Sequence, residues 1–145
     1  RDLRRLRPEL MVLNLGQNDK RPAALARAVE GFLALNEADG VRTLLVLEPR
    51  SLENPRLRLP GNHEALRRVA AAHGLEALDL HAYFAREDVR DLGLLWWDPG
   101  HLSGYGQRLF AERIAPDLLR ALEAGPPSPT SAAFADRRPD GSSLR

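Results

Sequence analysis

The sequence predicts an α/β fold, a parallel sheet between two helical layers (three-layer α/β/α). Two observations predict it. Three short apolar runs, residues 9–15 (ELMVLNL), 41–47 (VRTLLVL) and 75–80 (LEALDL), have strand length. Longer segments with helical spacing of apolar residues separate them. Such strand–helix alternation favours right-handed crossovers and a parallel sheet covered on both faces. Near-continuous apolar runs are what doubly covered strands require.

The elements follow in order. Pro8 and Gly16 bound the first strand. Pro22 suits the first turn of a helix whose inward face is Leu25, Val29, Phe32 and Leu33, and Gly40 closes it in the left-handed conformation. The second strand ends near Pro49, and a Pro- and Arg-rich loop runs to Gly61. The next helix is expected to begin near Asn62 as N-cap, to bury Leu66, Val69 and Ala70, and to stop at Gly74. After the third strand, residues 81–95 form a short irregular or helical connection. The last helix is expected over residues 103–123, with Tyr105, Leu109, Phe110, Ile114 and Leu122 inward and Pro116 kinking or restarting it. From Gly125 (GPPSPTSAA) the composition turns Pro- and Ser-rich, and the tail 125–145 is expected to be disordered. The domain therefore spans 1–124.

Composition narrows the function. A net charge of +1 over 145 residues, with scattered arginines, argues against nucleic acid as a partner. No cysteine means no disulfide framework and no thiolate chemistry. No run of about 18 apolar residues exists to span a membrane. The chain opens at Arg1 rather than Met, and we read it as the later part of a longer protein whose compartment and oligomeric state stay open.

Two stretches carry chemistry. Asp98-Pro99-Gly100-His101 sets an acid and a histidine three residues apart around a β-turn, with Gly100 suited to positive φ. Asp98 then takes one ring nitrogen and leaves the other as a base. Gly16-Gln17-Asn18-Asp19 follows the first strand, at the sheet edge where ligands bind in such folds. The two stretches are expected on one rim.

Leu15–Asp19 (LGQND) followed by Asp98–Ser103 (DPGHLS) resembles the SGNH (GDSL-like) hydrolase superfamily, matching its Gly-x-Asn-Asp block and its late Asp-x-x-His block over roughly residues 8–124. The resemblance implies that His101 is the general base, that Asp98 orients it, and that the Asn18 amide donates to the oxyanion. Gly16 would permit the turn presenting Asn18, and Asp19 would support it. It also implies a serine nucleophile in an early Gly-Asp-Ser block, and that block is absent here. Ser51 lies in the Pro/Arg loop, Ser103 follows the histidine, and the other serines lie in the tail. The expectation is thus a C-terminal portion of a serine esterase or acyl hydrolase, inactive alone, without its first strands. The Glu9–Leu15 strand would then be an open edge. Its substrate would be a small-molecule or glycan acyl ester, with no metal and no cofactor. Transfer of the acyl group to a polysaccharide, or a binding module without catalysis, are the alternatives.

Trp96 and Trp97 precede the acid. One of them, with Trp97 the candidate, is expected to line an acyl or sugar pocket by stacking; the alternative is that one ring anchors the loop into the core while the other is partly exposed. Gly61-Asn62-His63-Glu64 and Asp79-Leu80-His81 resemble metallophosphoesterase blocks, but in the wrong order and without the remaining blocks. We therefore read Asn62–Glu64 as a helix cap with an acid in its first turn, and assign no role to His73 or His81.

Overall fold

The computed structural model describes residues 5–16, 18–51, 59–90 and 92–124. Most of the Pro/Arg loop and the tail 125–145 lie outside them. The order of elements is β1 (Leu10–Leu15), α1 (Pro22–Ala38), β2 (Arg42–Leu47), α2 (Leu59–Ala72), β3 (Ala77–Asp79), α3 (Leu80–Ala85), α4 (Glu87–Arg90), β4 (Trp96–Asp98), β5 (His101–Leu102) and α5 (Gly104–Glu123).

β1, β2 and β3 form a parallel sheet in that spatial order, and β4 and β5 form a separate antiparallel pair. The register runs Leu10 to Arg42 through Leu15 to Leu47, then Leu45 to Ala77 through Leu47 to Asp79, so all three strands end level. Residues just beyond Leu15, Leu47 and Asp79 thus share one rim.

Period-two alternation sends β2 side chains to two cores. Leu45 and Leu47 pack with Leu13, Leu25, Val29, Leu33, Leu66 and Val69, the layer made by α1 and α2. Val46 points the other way, into Leu78, Leu80 and Ile114, with Leu44 and Phe110 alongside, the layer made by α5. This is the three-layer arrangement. A third cluster, Phe84, Val89 and Leu95 with Trp96, Leu102 and Leu109, seats α3, α4 and the β4–β5 hairpin against α5. Each fully buried Leu or Val here contributes about 1.5–3 kcal/mol.

Arg42, at the start of β2, reaches the far end of α5. Its guanidinium donates to the carbonyls of Ala121 and of Leu122 (2.9 Å), groups that a helix C-terminus otherwise leaves unpaired. The left-handed glycines Gly40 (φ +67°) and Gly74 (φ +64°) close α1 and α2 as expected.

Several expectations need correction. β1 is covered on one face only: Val12 is 40% exposed and Asn14 is exposed, because α5 lies over β2 and β3 rather than β1. Phe32, Tyr105 and Leu122 face solvent to a large extent, at the margins of helix stripes whose centres are buried. α5 continues through Pro116, and the Arg113–Asp117 ion pair (2.6 Å) spans that position. Asn62 is no N-cap. α2 begins three residues earlier at Leu59, with no acid in its first turn, and Asn62 is buried.

Candidate active site

The approach to the Asp98–His101 turn is built by local backbone geometry. Gly93 (φ +67°) and Leu94 (φ +51°) are consecutive left-handed residues that redirect the chain into β4. Leu94 is not a glycine, and that conformation costs it about 1 kcal/mol or more. Ser103 holds the bend in place: its Oγ donates to the Leu94 carbonyl and accepts from Gly106 N–H (3.0 Å), which also caps α5. Its own N–H donates to the Leu95 carbonyl at 2.9 Å. Gly106 has to be a glycine, because a β-carbon there would collide with the Leu95 carbonyl.

Within the hairpin, Asp98 pairs with His101. Asp98 Oδ1 accepts from the N–H groups of Gly100 (2.8 Å) and His101 (2.9 Å), so the acid itself shapes the turn. Gly100 does not need positive φ, contrary to expectation, because these two side-chain bonds do the turning. His101 Nδ1 sits 2.9 Å from both carboxylate oxygens. The Gly100 N–H, followed by the His101 ring, holds the Asp98 carboxyl below its usual range. With Nδ1 facing the Asp98 carboxylate, Nε2 is the ring nitrogen turned away from it. The His101 side chain is 81% exposed, so that nitrogen is open to a reacting group. The arrangement can take a proton and stabilise the imidazolium that results.

β4 alternation separates the two tryptophans. Trp96 packs against Phe84 (ring centroids 5.9 Å apart), and Trp97 is 85% exposed beside Asp98. Through Phe84, one turn into α3, the hairpin is tied to the end of β3.

Gly16 and Asn18 follow β1 on the rim where the strands end. Gly16 has φ +135°, a conformation that favours glycine, and Asn18 is exposed. The Asn62 amide donates to the carbonyls of Gly16 (2.7 Å) and Asp19 (2.9 Å).

Sequence reasoning missed a buried polar cluster on this rim. His63 is 2% exposed, lies against Gly16, and meets the His81 ring edge-on at 5.4 Å. Burial, then the charge that His81 would carry, pushes the His63 pKa down to about 4, against a weaker upward pull from Asp79 and a hydrogen bond to the Glu48 backbone. Burial also lowers His81, whose Nδ1 accepts from Arg50 N–H at 3.3 Å. Burial opposes ionisation of Asp79, but the Ala82 N–H and Arg67 outweigh it, and its carboxyl falls below the usual range. These are the residues of the two metallophosphoesterase-like blocks, brought together in space. Asp79 is committed to Arg67 and to capping α3. Among the described residues no group of three or more His, Cys, Asp or Glu is disposed to hold a metal ion. No helix among them is long and apolar enough to cross a membrane.

The described serines offer Oγ atoms that are already engaged or enclosed: Ser103 is the α5 cap and Ser51 is buried.

No protein-family model and no curated protein matches the sequence. One solved structure shares the fold, a crystal structure of an acetyl xylan esterase, AlAXEase. It superposes with a TM-score of 0.71 at 16% identity, covering 81% of this chain and 70% of that one. At that identity the likeness is one of fold.

Proposed function

We propose that this chain is the C-terminal portion of an SGNH-type serine esterase, and that it carries the base and part of the oxyanion hole but not the nucleophile. The observation that carries the reading is the Asp98–His101 contact, 2.9 Å to both oxygens with the ring otherwise open, on a fold shared with an acetyl xylan esterase. In the proposed mechanism His101 Nε2 removes the proton from a serine hydroxyl as the oxygen attacks the ester carbonyl. Asp98 holds the ring in the right tautomer and stabilises its positive charge. The Asn18 amide donates to the oxygen that becomes negative, on a loop turned by Gly16 and supported by Asp19. The proton then passes from His101 to the leaving alcohol, and water repeats the sequence on the acyl-enzyme.

The half-open β1 supports the portion reading, since Val12 and Asn14 lie exposed where an α/β/α sheet is normally covered. The substrate class we favour is an acyl ester of a glycan. The fold neighbour acts on acetylated xylan by its name, and the exposed Trp97 beside the dyad is suited to stacking on a sugar ring. Acyl transfer to a hydroxyl other than water would use the same groups.

The test is hydrolysis of 4-nitrophenyl acetate. The chain alone should give no turnover above background, and the protein from its source, its length read by intact mass, should be active and lose activity with His101→Ala. Turnover by the chain alone that His101→Ala abolishes would refute the missing nucleophile.

A further inference from the structure

We propose that Asn62 is a positioning residue for Asn18, acting through the backbone of the loop that carries it; the catalytic part of this inference rests on the oxyanion role proposed above for Asn18. The two carbonyls that Asn62 Nδ2 holds, those of Gly16 and Asp19, stand on either side of Gln17 and Asn18 in the chain. Asn18 itself is exposed, so burial of its own side chain does not fix the loop. Asn62 is 1% exposed and belongs to α2, an element packed into the main core through Leu66 and Val69. It ties the loop to a rigid support.

The residue type matters. A primary amide carries two N–H groups on one nitrogen and can donate to two carbonyls at once, which neither a hydroxyl nor a carboxylate does. Its Oδ1 is buried with no partner among the described residues, so the side chain's polar contacts there are those its nitrogen makes. His63, the next residue, adds a second restraint: its ring lies against Gly16, whose φ of +135° sets the direction in which the loop leaves β1.

The experiment uses the ¹⁵N-labelled chain. In the unmodified protein the Asn62 side-chain N–H protons should exchange about ten- to a hundredfold more slowly than those of Asn18, the protection expected for buried hydrogen bonds. Equal rates would overturn the proposal, and this arm needs no variant to fold. In Asn62→Asp, which keeps the shape and removes both donors, the Asn18 backbone order parameter should fall from about 0.85 to below about 0.6, with Leu45–Leu47 amides still protected. An unchanged loop, or equal loosening of loop and sheet, would refute positioning, the latter marking Asn62 as general packing. In the ester-cleaving form, Asn62→Asp should lower kcat with KM unchanged, and should cost nothing further in an Asn18→Ala background. Additive losses would also overturn the proposal. The two readings fail separately. If Asn18→Ala leaves kcat intact, the oxyanion role is lost while the spectra still report the clamp.

Discussion

Two histidine sites in this chain differ in almost every physical respect. His101 stands on a short hairpin, 81% exposed, held by one carboxylate that its own turn supplies. His63, on α2, is sunk against the strand ends, 2% exposed, with its ring against His81 and Gly16. The first keeps a nitrogen available to an incoming group; the second is held neutral by burial. A histidine near an acid says little in a sequence, because desolvation decides which of the two it becomes.

The contrast is broken most sharply by substitution. In the ester-cleaving protein His101→Ala should cut kcat by about 10⁴-fold or more, and Asp98→Asn by about 10³–10⁴, with the urea midpoint unmoved. If instead the exposed ring proved necessary for folding, the contrast would collapse. His63→Ala should do the reverse to stability, costing about 2–4 kcal/mol in urea titrations by emptying a filled site.

The same contrast has a pH signature. Folded His63 takes a proton only near pH 4, whereas the unfolded residue takes one near 6.5. Between these values the unfolded chain binds more protons, so stability should fall as the pH drops from about 6.5 to 4, by up to about 3 kcal/mol. His81, lowered in the same direction, adds to the slope, and the depressed Asp79 carboxyl contributes its loss only at lower pH. Denaturation of His63→Phe over this range should show a flatter profile; an identical slope would place the buried charge elsewhere.

Smaller effects sharpen the hairpin side. Gly106→Ala should destabilise by about 1–3 kcal/mol and lower activity as well, because the new methyl displaces the Leu95 carbonyl at the base of the hairpin. Leu94→Gly should stabilise by about 1 kcal/mol in thermal unfolding, by relieving a left-handed leucine that makes no buried contact.

What could be read in advance follows from range. The strands, the closing glycines of α1 and α2, the Ser103 start of α5 and the Asp98–His101 contact all depend on residues a few positions apart. The Asn62 amide and the His63–His81 contact depend on partners 46 and 18 residues away, and no local pattern encodes them. One local signal did exist. Pro60, with its φ already set for a first turn, marks a helix starting before Asn62, and that start puts Asn62 inside the helix and against the β1 loop. Phe32, Tyr105 and Leu122 misled for another reason: helical spacing finds a stripe but not where its edges emerge from the neighbouring layer.

Arg42 holds the last turn of α5, while Ser103 and the Asp98–His101 hairpin sit at the first. Twenty residues of helix make an arm about 30 Å long. Tilting such an arm by about 5° about its anchored end sweeps the other end through about 2.5 Å, and a misplacement of about 1 Å already costs around a hundredfold in rate. On the proposed reading, the aim of His101 is therefore sensitive to leverage from a guanidinium at the opposite end of α5, and a substitution there acts on the proposed catalysis as a change of angle.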